Sequence, residues 1–161
     1  MFRRGGNPLD SRSEIHEMDL IDMLSERHHM LRRITESSWN DNSDIYISSS
    51  EWYILARIYN KQPSISSITK SVNISRQAIH KFIKKLADKE LVEVHNAAHN
   101  KKEKCVQLTA LGNACYEKNE ALKAQLENKL AEKIGEEQFN TLKEILQLDW
   151  NIEQEEAQAN N

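Results

Sequence analysis

Apolar residues recur at Ile15, Met18, Ile21, Met23, Leu24, Met30, Leu31 and Ile34, with a period near 3.6, which predicts a helix from Glu14 to about Trp39. The polar stretch Ser25 to His29 interrupts the pattern, and the turn-rich Asn40 to Ser43 ends it. Ser49 or Ser50 is placed to cap a second helix with Trp52, Ile54, Leu55, Ile58 and Tyr59 at helical spacing, stopped by Lys61-Gln62-Pro63. A short helix follows on Ile65, Ile68 and Val72, then a break at Asn73-Ile74. Ser75 caps a longer helix that runs to about Lys89. There Ile79, Phe82, Ile83 and Leu86 fall at i, i+3, i+4 and i+7 and form the inward stripe.

The periodicity then changes. Leu91 to Val94 and Lys104 to Leu108 are short β-prone segments flanking a polar, lysine-rich loop longer than a tight turn, the outline of a hairpin. Thr109 caps a long helical stretch that breaks near Gly135 and resumes from Glu136 to about Trp150. Residues 1–13 lack periodicity and read as a mobile arm, and residues 151–161 as an acidic tail.

Composition narrows the class. With 161 residues and 39% hydrophobic content, the chain can bury one domain-sized core, and two prolines with four glycines favour long helices. No apolar run is long enough to span a membrane and the first dozen residues form no secretory signal, so a cytoplasmic protein is expected. The glycines stand at 5, 6, 112 and 135, which leaves no phosphate-cradling Gly-rich loop; a GxSxG elbow and an HExxH pair are also missing. The expectation is a protein that is not an enzyme and needs no cofactor or metal. Cys105 and Cys115 have neither the number nor the spacing of a metal or redox motif.

The net charge of −3 conceals a segregation. Residues 61–104 hold ten Lys/Arg and four acids, a balance of +6, while the remainder holds 12 against 21. A basic middle between acidic flanks points to a phosphate-binding module carried on helices with another task. Helix, short helix, turn, helix and hairpin in this order make a winged helix-turn-helix, and the charge sits on the parts that face DNA. The outward face of the recognition helix carries Arg76, Gln77, His80, Lys81, Lys84 and Lys85. Arg and Gln in its first turn suit guanine and adenine edges in the major groove, and the lysines suit phosphates.

Several stretches carry a resemblance to the MarR family of bacterial regulators, spanning Glu14 to Trp150. Ser50-Glu51-Trp52-Tyr53-Ile54-Leu55 is similar to that family's helix before the helix-turn-helix, and Ile74-Ser75-Arg76-Gln77-Ala78-Ile79 to its recognition-helix start. Leu86 to Val92 resembles the exit into the wing, and Val106 to Gly112 the second wing strand entering the next helix. The resemblance implies a mainly α fold with a small β-hairpin wing and N- and C-terminal dimerisation helices. It divides the chain into an N-terminal dimerisation helix and connection at 14–45, a winged helix-turn-helix DNA-binding domain at 46–110 and C-terminal dimerisation helices at 111–150. It also implies a homodimeric regulator, most simply a repressor, that binds a pseudopalindrome in double-stranded DNA. A small aromatic or anionic effector would release it.

The DNA-facing set is then Ser64, Ser66, Ser75, Arg76, Gln77, His80, Lys81 and Lys84, with His99, Asn100, Lys101 and Lys102 on the wing. Trp39, Tyr46, Trp52 and Tyr53 fall where the family's effector pocket would lie. Two departures stand out. Asn100 and Lys101 replace the family's wing Asp and Arg, and Lys lacks the guanidinium fork that favours a narrow minor groove. Glu90 stands where the family favours Gly, at a cost of about 1 kcal/mol if its backbone is left-handed. His95, His99 and Cys105 make only a weak zinc set. Two alternatives stay open: a redox-sensing regulator using Cys105 or Cys115, and an acidic helical interaction module, which unlike a DNA-binding protein would pass through heparin unretained.

Overall fold

The computed structural model describes residues 17–98 and 100–152; the predicted arm, His99 and most of the predicted tail lie outside them. The described elements run α1 (Leu20–Asn40), α2 (Ser49–Ile58), α3 (Ile65–Ser71), α4 (Arg76–Asp88), β1 (Val92–Ala97), β2 (Asn100–Leu108), α5 (Ala110–Ile134) and α6 (Glu136–Gln147). They form two compact units, one ending at Leu122 and one starting at Lys123, so the boundary falls inside α5.

Side-chain caps set most helix starts. Asp19 accepts the Asp22 N–H at 2.9 Å, so α1 begins at Leu20, later than its apolar period suggests. Helix α2 is capped by Ser48, one residue before the expected position. Ser48 Oγ accepts the Glu51 N–H while the Glu51 carboxylate accepts the Ser48 N–H, and this reciprocal pair outcompetes a lone serine at 49 or 50. Ser64 and Ser75 cap α3 and α4 through the N–H groups of Ser67 and Ala78.

The core of the first unit gathers Trp39, Ile47, Ile54, Leu55, Ile58, Ile68, Ile79, Ile83, Leu86, Leu91, Val92 and Val106. Phe82 packs against it half-buried, which completes the expected inward stripe of α4. Helix α4 lies against α2, α3 and β1. The hairpin is longer than its apolar segments suggest: β1 and β2 pair antiparallel from Val92↔Leu108 out to Ala97↔Asn100, with an irregularity between Asn96 and Ala97. Backbone pairing continues past the last buried residue, so hydrophobicity marks only the hairpin's root.

The passage from α4 into the wing is tightly built. Leu91 N–H donates to Leu86 O and Glu90 N–H to Ala87 O, both at 2.9 Å, the double closure of a Schellman helix end. Glu90 has φ +59°, so the left-handed residue is a glutamate and bears the strain a glycine would avoid. Thr109 then latches the wing's two ends, its Oγ1–H donating to Glu90 O and its N–H to Leu91 O. The same hydroxyl oxygen accepts the Gly112 N–H and starts α5.

The second unit holds the end of α5 and α6, joined at Gly135 with φ +97°. Lys143 pairs with Glu127 at 2.8 Å across them, both exposed. Helix α6 closes at Gln147, three residues short of the expected Trp150.

Candidate nucleic-acid interface

Helix α4 presents its polar face by construction. With Ile79, Ile83 and Leu86 buried, Arg76, Gln77, His80, Lys81, Lys84 and Lys85 are all exposed. Among the described residues none of these cations enters an ion pair. Arg76 and Gln77 occupy the first turn, fixed by the Ser75 cap, where the helix's unpaired N–H groups and dipole favour anionic phosphate.

The serines of α3 divide. Ser66 is exposed, whereas Ser64 uses its hydroxyl oxygen on the Ser67 N–H and its backbone on a bridge to Cys105 of β2. On the wing, Asn100 Oδ1 accepts the Lys102 N–H at 3.0 Å, a local turn that shapes the tip. Lys101 and Lys102 are exposed, and Lys104 bends back to donate to Asn96 Oδ1 at 2.7 Å. Lys101 and Lys102 thus stand at the wing tip, while Lys104 keeps its charge but is held back along the hairpin.

The four aromatics expected at an effector pocket separate by burial among the described residues. Trp39 and Trp52 are buried edge to face, ring centroids 4.8 Å apart, with the Trp39 indole N–H donating to Ile45 O at 2.7 Å; they are core. Tyr46 is exposed and its hydroxyl donates to Glu36 at 3.0 Å. Tyr53 lines a cleft of about 350 Å³ with His28, His29, Arg32, Ser49, Ser50 and Ile74. Of this lining the sequence pointed to Tyr53 as a pocket residue but not to its grouping with the others, because the residues come from α1, α2 and the turn before α4, and no single segment displays it. Arg57 donates to the Tyr53 hydroxyl at 3.0 Å and lies 4.6 Å from its ring centre.

Cys115 is buried, and burial pushes its thiol above the ordinary value although Lys118 pulls the other way. A thiol held protonated reacts poorly with oxidants. Cys105, half-buried on β2, stands opposite His95 in the register. Among the described residues no three His, Cys, Asp or Glu side chains come together to hold a metal.

One further cluster was not foreseen. Lys89, counted by sequence among the basic residues of the DNA-facing stretch, turns to the Glu51 carboxylate at 2.7 Å and to Tyr46 O at 2.7 Å. Glu51 is only 2% exposed. The pattern Ser48-x-x-Glu51 was the available signal, since a capping-box glutamate is held against a helix start.

Residues 47–112 match the winged helix DNA-binding domain family HTH_27. The HTH-type transcriptional regulator TcaR of Staphylococcus aureus is 24% identical over 136 residues, covering 83% of this chain and 90% of TcaR. The reduced form of MarR from E. coli superposes with a TM-score of 0.71 at 19% identity, over 80% of this chain and 94% of MarR. The S. aureus MepR–DNA complex gives 0.68 at 17%, over 81% and 95%. The matched domain is a winged helix DNA-binding domain and the solved structures share its fold; among the described residues no helix is long and apolar enough to cross a membrane.

Proposed function

From the premise that this chain carries a winged helix DNA-binding domain within a MarR-type fold, we propose that it represses transcription as a homodimer on a pseudopalindromic operator. The observation that carries the reading is the exposed cationic face of α4, which enters no ion pair among the described residues, opened by a Ser75-capped turn bearing Arg76 and Gln77 and followed by the exposed Lys101 and Lys102 of the wing. Arg76 and Gln77 read base edges, Lys81 and Lys84 hold phosphates, and the wing lysines reach the backbone at the neighbouring minor groove. The similarity to MepR, solved as a DNA complex, supports the same use of this fold.

The test is a set of variants measured on a duplex enriched from a random-sequence pool by the wild-type protein. Arg76→Ala or Gln77→Ala should flatten preference at one pair of positions related by the operator's symmetry, by roughly 1–3 kcal/mol per contact. Lys101→Ala should instead weaken every sequence alike and reduce the salt slope by about one unit per protomer. Base preference unchanged in both α4 variants would place specificity elsewhere, in DNA shape or the wing.

Dimerisation rests on apolar side chains left open at both ends. Leu20 and Ile21 at the start of α1 are exposed, the latter to 77%, as are Ile145 and Leu146 of α6 and Leu148 and Trp150 beyond it. Apolar surface on this scale is covered by a partner, and a second copy is the simplest one. Sedimentation at micromolar concentration should give twice the 18.7 kDa chain mass; a monomer there would remove the two-fold operator from the reading. The cleft at Arg32, His28, His29 and Tyr53 suits an anionic aromatic effector, since it joins cationic and hydrogen-bonding groups to a ring beside Ile74, next to the cap of α4.

A further inference from the structure

We infer that Lys89 is a positioning residue for the base-reading end of α4 and not a phosphate contact, acting through Glu51 and the Tyr46 carbonyl. The inference rests on the DNA-binding reading above and adds a residue that touches no DNA. Lys89 is the C-cap of α4. Its ammonium donates to Glu51 Oε1 and to Tyr46 O, each at 2.7 Å, and lies 5.6 Å from the Tyr46 ring centre. Two of its three donors are therefore committed inward.

The anchor points are themselves fixed. Glu51 is buried in α2, and its second oxygen accepts the Ser48 N–H at 2.7 Å. Tyr46 is tied by its hydroxyl to Glu36 of α1 at 3.0 Å. One lysine thus fastens the end of α4 to the start of α2 and to the segment leading out of α1. A charge neutralised at this distance by a buried carboxylate offers little to a phosphate, whereas Lys81, Lys84 and Lys85 stand exposed on the same helix.

A helix of 13 residues is about 20 Å long. Ile79, Ile83 and Leu86 hold α4 along its buried face, and the Schellman closure holds its exit. What Lys89 adds is a tether from the helix end to α2 and to the segment leading out of α1, which sets the helix's tilt against them. Loss of that tether changes the tilt, and the first turn, with Arg76 and Gln77 at the far end of the helix, is displaced with it. Bidentate base contacts tolerate only a few tenths of an ångström, so specific binding is what suffers.

The experiment compares full-length wild type, Glu51→Gln, Lys89→Met and Lys89→Arg on two duplexes, one enriched from a random pool by the wild type and one of scrambled sequence, across a salt series. Each variant is held well below its unfolding midpoint, checked by circular dichroism. Glu51→Gln keeps the side-chain size and the capping-box geometry while removing a negative charge, so long-range electrostatics alone would tighten DNA binding. The positioning role predicts the reverse: a loss of about tenfold or more on the enriched duplex and little change on the scrambled one. Lys89→Met should show the same selective loss with the salt slope retained, and Lys89→Arg should recover affinity to within about threefold. Equal weakening of both duplexes by Lys89→Met, with the slope reduced by about two units per dimer, would make Lys89 a phosphate contact and overturn the inference. Undiminished binding of the enriched duplex by folded Glu51→Gln would overturn it as well. A wild-type protein that enriches no duplex overturns the DNA-binding reading first, and this one with it.

Discussion

Truncation of Glu51 to alanine is expected to lower folding stability by about 2–3 kcal/mol, because it takes the buried acceptor away from the Lys89 ammonium, which is itself partly open to water. The same change removes the acceptor of the Ser48 N–H and so opens the capping box of α2. Urea unfolding of the wild type and variant gives the number directly; a loss under about 1 kcal/mol would mean that water replaces the carboxylate without penalty. The double replacement Glu51→Leu with Lys89→Met should recover much of the loss, since removing both charges also removes the cost of burying either.

The pH dependence follows from the same group. Burial alone raises the Glu51 carboxyl, but the Lys89 and Ser48 hydrogen bonds outweigh it and hold the group below the usual carboxylate range. A depressed value in the folded state means that the stabilisation is fully present above the unfolded-state value. It fades as pH falls from there through the lower folded-state value. The acid limb of the wild-type stability curve should therefore be steeper than that of Glu51→Gln across that window.

Gly112→Ala is the second large effect expected, a loss of about 3 kcal/mol where helix propensity alone predicts a gain of about 1 kcal/mol. A Cβ on Gly112 would sit 2.0 Å from the Leu91 carbonyl oxygen, a backbone atom that also accepts the Thr109 N–H. Relief requires either α5 or the root of the wing to move, and the Thr109 latch ties the two together. Thermal unfolding of the variant is the check. A midpoint equal to or above the wild type's would show that the joint yields easily.

The fold was legible wherever one face of an element is buried. The stripe Ile79-Phe82-Ile83-Leu86 determines both the existence of α4 and the set of side chains it turns outward, so the α4 part of the candidate interface could be read before any coordinates. The caps at Ser75 and Thr109 were equally readable, because each precedes an apolar period directly. Features made by distant segments were not. The cleft draws on three segments, and the inward turn of Lys89 depends on a glutamate 38 residues away. Charge counting treats a lysine paired with a buried acid and a lysine in water as the same object. The aromatics illustrate the converse: Trp39 and Trp52 suit a ligand pocket by composition, yet they pack on each other because α1 and α2 both need a large apolar side chain there.

The covering of β2 has a consequence for how concentrated the protein can become. A hairpin that projects to reach a duplex exposes unpaired strand edges, the usual template for adding a foreign strand and for aggregation. Here the inner half of that edge is already taken: Val106 N–H donates to Pro63 O at 3.0 Å and Ser64 bridges Cys105. Proline has no N–H with which to extend the pairing further. The outer half is guarded by Lys101 and Lys102, whose mutual repulsion discourages a second copy from docking edge to edge. If Lys101 and Lys102 meet DNA as proposed, the same two cations also keep the wings of neighbouring molecules apart in its absence.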